Sequence, residues 1–195
     1  MTLRTLVLGG ARSGKSAHAE GLVSATGPVS YLATGRRDPT DPDWSARIAA
    51  HVARRPAHWE TVEVTDAALL AEFLSDALDA DPTLLVDDLA TWLTGMLDEV
   101  RGWDGRKSAL RLAESYLDKL VAAVATTKAR LVLVSAEVGL GVVPATPSGR
   151  LFRDLLGTLN ARLADVCDEV LLLVAGIPLT LKESLNQPRR NAHRR

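Results

Sequence analysis

Short apolar runs alternate with stretches of helical spacing along almost the whole chain. Leu3 to Leu8 is apolar and β-rich and stops at Gly9-Gly10, as a buried first strand does. From Lys15 to about Ser24 the spacing becomes helical, and Val29 to Ala33 predicts a second strand closed by Thr34-Gly35. Arg36 to Asp43, with Pro39 and Pro42, reads as a polar loop. Ser45 to Arg55 predicts a helix with Asp43 or Ser45 near its start and Pro56 as its stop. Val62 to Val64 predicts a short strand, and Leu69, Leu70, Phe73, Leu74 and Leu78 place a helix over Ala67 to Leu78. A strand from Thr83 to Val86 runs into Asp87-Asp88, and helical stretches follow at about Thr91 to Val100 and Leu110 to Thr126. Arg130 to Ser135 is the most β-like segment and ends in Ala136-Glu137-Val138-Gly139. Leu151, Leu155, Leu159 and Leu163 recur at four-residue intervals in a long amphipathic helix, about Gly149 to Val166. Val170 to Val174 supplies one more strand before Gly176-Ile177-Pro178.

Apolar strands separated by helices imply a parallel sheet with helices on both faces. The 195 residues suit a single domain, expected over 1–185. From Asn186 the chain is polar and basic, and 186–195 is expected to be a flexible tail. A formal net charge of −1 gives no reason to expect nucleic acid or an anionic membrane as partner. No stretch approaches the ~20 apolar residues of a membrane span, and none suits a signal peptide, so a cytoplasmic protein is expected. One cysteine, Cys167, excludes an internal disulfide and a cysteine zinc site, and its position reads as core.

Gly9-Gly10-Ala11-Arg12-Ser13-Gly14-Lys15-Ser16 lies between the first strand and the first helix. In G-x-x-x-x-G-K-S the glycines let backbone N–H groups face phosphate oxygens. The lysine then reaches the outer phosphates and the serine hydroxyl holds Mg²⁺. The fold class expected is therefore α/β, a P-loop NTPase of RecA-like type with a mostly parallel central sheet. Such an enzyme needs a carboxylate at the end of a neighbouring strand for the hydrated metal, and Asp87 supplies one while Asp88 reads as a helix cap.

His51 lies four residues after Arg47 and three and four before Arg54 and Arg55, which aligns all four along one helix stripe. Two readings stand: a neutral, nucleophilic imidazole among cations that attract a triphosphate, or a solvated basic face. His58 reads as structural, and His18 as unremarkable. Glu137 sits where α/β sheets hold ligands, with Gly139 and Gly141 after it. A general base, a hydroxyl-binding group and a turn residue all fit it. A plain kinase or ATPase, and a GTP-binding switch, are the competing classes. The chain lacks the Asn-Lys-x-Asp motif of the switch.

Several motifs together resemble the bifunctional adenosylcobinamide kinase / adenosylcobinamide-phosphate guanylyltransferase family of cobalamin biosynthesis. They are Gly9 to Ser16, Tyr31-Leu-Ala-Thr34, Arg47-Ile-Ala-Ala-His51, Arg55-Pro-Ala-His-Trp59, Glu137-Val-Gly-Leu-Gly-Val-Val-Pro144 and Phe152-Arg-Asp154. The likeness runs from about Leu3 to Lys182. It implies phosphorylation of the aminopropanol hydroxyl of adenosylcobinamide, then GMP transfer from GTP through a phosphoramidate on His51, with Lys15 at the phosphates. It implies nucleotide contacts at Gly9 to Ser16, at Thr34, Gly35 and Arg36, at Val52, Ala53, Arg54 and Arg55, and at Glu63 and Asp87. GTP, or ATP for the kinase step, Mg²⁺ on Ser16 and Asp87, a corrinoid substrate and a homotrimer are implied with them. Asp88 departs from relatives, which often carry a small or apolar residue there, and the Arg36 to Asp43 loop differs in length.

Overall fold

The computed structural model describes residues 3–23, 27–36 and 40–183, so the expected tail at 186–195 lies outside the described residues. Seven strands form one sheet in the order β3-β2-β4-β5-β1-β6-β7. They are β1 (Arg4–Gly9), β2 (Val29–Ala33), β3 (Glu60–Glu63), β4 (Thr83–Asp87), β5 (Leu131–Ala136), β6 (Glu169–Val174) and β7 (Ile177–Lys182). All neighbouring pairs are parallel except β6 with β7. The helices are α1 (Lys15–Leu22), α2 (Pro42–Arg54), α3 (Ala67–Asp76), α4 (Leu89–Glu99), α5 (Lys107–Thr126) and α6 (Pro147–Val166).

Side chains alternate across the strands, so both sheet faces are apolar and each needs a cover. Leu6, Leu84, Val86, Leu131 and Leu133 face one side and pack with buried residues of α3, α4, α5 and α6. Val7, Leu85, Val132 and Val134 face the other, where Ala19 of α1 and Trp59 close the packing. Cys167 is buried in the first of these clusters, as expected, and burial pushes its thiol up to about 12.

Four helices begin before the point at which apolar spacing announced them. Pro42 opens α2 three residues ahead of Ser45, which shortens the expected polar loop; proline suits a first helical turn, whose N–H groups have no intrahelical partner. Asp88 caps α4 by accepting from Thr91 N at 2.8 Å, and Thr146 caps α6 by accepting from Gly149 N at 3.1 Å. α5 begins at Lys107 rather than Leu110. Apolar periodicity marks where a helix starts to pack, whereas caps mark where it starts.

The sequence reading has no counterpart to β7. Ala175 and Gly176 take φ of 52° and 81°, the left-handed pair that reverses a two-residue hairpin, but Ala-Gly is a weak signal for such a turn. Pro178 is tolerated because β7 is an edge strand, where one missing N–H donor costs no ladder bond. Lys182 then ties β7 to the end of α6, donating to Ala164 O at 2.9 Å and Asp165 O at 3.0 Å.

Candidate active site

The carboxyl ends of β1, β2 and β4 carry the groups that matter. Gly9 closes β1, and a Cβ there would stand 2.3 Å from Ser13 Oγ and 3.1 Å from Leu173 O, so a larger residue would displace the Ser13 side chain. Gly14 caps α1 with φ 88°, turning the chain so that Lys15 and Ser16 begin the helix. Lys15 Nζ lies 3.5 Å from Gly10 O, above its own loop. Ser13 Oγ is buried without a hydrogen-bond partner within the protein. A buried orphan hydroxyl inside a ring of phosphate-binding geometry fits an anionic ligand that supplies the missing partner.

A cavity of about 550 Å³ opens over this loop. Arg12, Ser13, Gly14, Lys15 and Ser16 form its floor, and Gly35 and Asp87 its wall. His51, Val52 and Arg55 line it from α2 and the turn after it, and Glu63 from β3. Ala53 is exposed on α2, and it, Gly9, Gly10, Ala11 and Thr34 do not line the cavity. Thr34 donates instead to Asp88 O at 2.7 Å and sits 2.6 Å from Thr91 Oγ1, holding the β2 and β4 ends together. Arg36 also turns away from the cavity. Its guanidinium donates to Thr65 O and pairs with Glu99 at the end of α4, because those acceptors lie beside a glycine, Gly95, that leaves it room. These contacts tie the end of β2 to α4.

Asp87 is the junction of the site. Its Oδ1 accepts from Ser16 Oγ at 3.1 Å and its Oδ2 from Tyr31 Oη at 2.6 Å, while His51 Nδ1 lies 3.5 Å from the same Oδ2. Burial alone would push this carboxyl up, but the His51, Tyr31 and Ser16 contacts outweigh it and hold it below its ordinary value. Asp88 goes the other way: burial raises it, the Thr91 amide opposes, and the charge of Asp87 adds to the rise. Asp88 caps α4 as expected, and both acids line the cavity.

Of the arginines that helix spacing aligns with His51, Arg55 lines the cavity beside it. The described carboxylates near His51 are those of Asp87 and Glu20, and the side chains of Arg47 and Arg54 lie outside the described residues. The cavity-facing stripe is Ile48, His51, Val52 and Arg55, at steps of three, one and three. A carboxylate only accepts, so a hydrogen bond between His51 and Asp87 places a proton on the imidazole nitrogen that faces it, and Nε2 points elsewhere. Arg55 lies with its guanidinium carbon 3.3 Å from the centre of the Tyr31 ring and donates to Thr61 Oγ1 at 3.2 Å. Glu20, His51 and Asp87 each offer a ligand atom within 4.8 Å of the others. Glu137 serves its turn, accepting from Gly139 N at 2.6 Å while its own N donates to Gly9 O at 3.0 Å.

Residues 5–181 match the family described as cobinamide kinase / cobinamide phosphate guanyltransferase. The chain belongs to this family. It is 42% identical to the bifunctional adenosylcobalamin biosynthesis protein CobP of Pseudomonas aeruginosa, over 92% of this chain and 98% of that one. It is 39% identical to the CobU protein of the same description from Salmonella typhimurium, over 91% and 98%. Family membership makes the chain an enzyme of cobalamin biosynthesis, a kinase and guanylyltransferase that uses nucleotide at a P-loop. Among solved structures, an ATPase of a bacterial type III secretion system superposes with a TM-score of 0.54 at 12% identity, over 91% of this chain and 56% of that one. That likeness shows the fold alone, a RecA-like P-loop NTPase.

The sequence reading missed Tyr31, Thr61, Thr91 and Glu20 as parts of this site. Tyr31 stood in a strand pattern as one more apolar position, and nothing local shows that its hydroxyl ends on Asp87. Replacing Tyr31 with phenylalanine keeps the ring under Arg55 and removes only the bond to Asp87 Oδ2. Guanylyl transfer is expected to fall roughly tenfold, the scale of one charge-assisted hydrogen bond. The kinase rate should fall less, because Ser16 holds the other oxygen. Equal loss in both half-reactions would remove this division of labour between the two oxygens.

Proposed function

We propose that the protein phosphorylates the aminopropanol hydroxyl of adenosylcobinamide and then transfers GMP from GTP to the product, through a covalent intermediate on His51. The observation that carries this reading is His51 Nδ1 facing Asp87 Oδ2 inside the P-loop cavity, an arrangement that leaves Nε2 free to act as nucleophile. In the transfer half, Nε2 attacks the α-phosphorus of GTP, a P–N bond forms and the bond to the pyrophosphate oxygen breaks. Lys15 and the loop amides of Gly9 to Ser16 take up charge on the leaving pyrophosphate. A phosphate oxygen of the cobinamide phosphate then attacks the histidine-bound phosphorus, the P–N bond breaks, and adenosylcobinamide-GDP leaves with the imidazole restored.

Ser16 and Asp87 offer hard oxygens 3.1 Å apart, a donor set that suits Mg²⁺, and they would hold it together with phosphate oxygens. When bound there, the ion would neutralise phosphate charge in both half-reactions. Glu63, an acceptor-only side chain on the far wall of the cavity, suits the N1–H and N2–H donors of guanine. The kinase half takes GTP or ATP at the same loop. The resemblance supports a homotrimer, and the length and apolar pattern of the chain support a single catalytic domain over 1–185 and a cytoplasmic setting. Among the described residues no helix is long and apolar enough to cross a membrane.

Intact-protein mass spectrometry after incubation with GTP and Mg²⁺ tests the covalent step. An acid-labile GMP adduct with stoichiometric pyrophosphate is expected. Turnover of the γ-phosphate without any adduct would leave a plain P-loop kinase.

A further inference from the structure

The loop after β5 is built in a way that the nucleotide chemistry does not use. β5 lies between β4 and β1 in the sheet, so this loop leaves the carboxyl edge between the strand that carries Asp87 and the strand that carries the P-loop. Its first residue is fastened to the P-loop strand by the Glu137 N to Gly9 O bond. Ligands of open α/β sheets sit outside the carboxyl ends of the strands, and an acceptor that must meet the phosphates of the nucleotide has to approach along this edge.

The loop is apolar where loops are ordinarily polar. Leu140 is 81% exposed, Val142 94% and Val143 58%. Both stems are held: Gly139 N donates to Glu137 Oε1, and Arg150 Nη1 donates to Pro144 O at 3.0 Å and Ala145 O at 2.8 Å. Gly141, with nothing within 4 Å of where a Cβ would stand, leaves the crest open between the apolar side chains. A pinned loop that raises three aliphatic side chains into water exposes a surface that burial would stabilise.

We infer that Val138 to Pro144 is the platform for the corrinoid acceptor, with Leu140, Val142 and Val143 against the apolar face or methyl-bearing rim of the macrocycle. This rests on the cobinamide acceptor proposed above. The reacting arm of such a substrate is polar and short, and its large ring is the part that an aliphatic surface can recognise. A second copy of the chain has a broader apolar surface to bury in the edge strand β7, where Ile177, Leu179 and Leu181 are exposed.

The test is the double substitution Leu140→Ser and Val142→Ser, both exposed and so neutral to the core, with Leu112→Ser on α5 as an equally apolar surface control. The KM for cobinamide is expected to rise roughly tenfold or more, with GMP-adduct formation from GTP alone at the wild-type rate. The control should behave as wild type. An unchanged cobinamide KM would overturn the inference. So would a loss of assembly in sedimentation velocity, which would assign the loop to a contact between copies. Failure of the underlying activity reads differently, since the wild-type protein would then form no adduct and turn over no cobinamide.

Discussion

His51→Ala is expected to eliminate the GMP adduct and to reduce guanylyl transfer by roughly three orders of magnitude or more, the scale of removing a catalytic nucleophile. The substitution takes away Nε2 and nothing that the P-loop needs. Lys15, Ser16 and the loop amides stay in place, and Asp87 keeps its bonds from Ser16 at 3.1 Å and Tyr31 at 2.6 Å. Phosphorylation of cobinamide should therefore persist, and the mutant should accumulate cobinamide phosphate when both nucleotides are present. His51 stands on a helix face toward a cavity rather than in the core, with its side chain about one-third exposed, so the fold should be unaffected. Adduct mass and product chromatography read the two halves separately. A full-strength adduct on the alanine variant would move the nucleophile elsewhere.

Asp87→Asn is expected to lower both half-reactions by at least about 100-fold. The amide keeps the shape of the carboxylate, and its oxygen can still accept from Tyr31 Oη. Its NH₂ then faces Ser16 Oγ, which can accept in turn. What is lost is the negative charge beside His51 Nδ1 and the anionic oxygen proposed above for Mg²⁺. A loss confined to guanylyl transfer would mean that Asp87 serves His51 alone, and Mg²⁺ titration of the residual kinase rate would confirm it. Thermal unfolding followed by circular dichroism checks that the comparison is between folded proteins.

Much of the site was legible in the chain because its strongest element is local. Gly9 to Ser16 is one contiguous turn, and its chemistry follows from spacing. Asp87 was legible because a carboxylate closes an apolar strand. His51 was legible only in part: helical spacing gave it arginine neighbours, and the resemblance singled it out, but the carboxylate at its Nδ1 comes from another strand. The acceptors that hold Arg36, Thr65 O and Glu99, were not legible, because a sequence shows a cation near a loop and not what lies across from it. β7 was missed because its turn uses alanine where positive φ normally selects asparagine or glycine.

By itself, then, the sequence determined the order of strands and helices up to β6, the apolar faces they must bury and the phosphate-binding turn, since all three depend on periodicity or on neighbours in the chain. The tertiary structure alone decided that Tyr31, 56 residues from Asp87, and Ser16, 71 residues away, end on opposite oxygens of one carboxylate. It also decided that His51 faces that carboxylate and that an apolar loop leaves the sheet edge between β4 and β1. The reason is that strand order in a parallel sheet is set by crossovers and by the packing of two faces, so it brings together side chains that no local pattern relates.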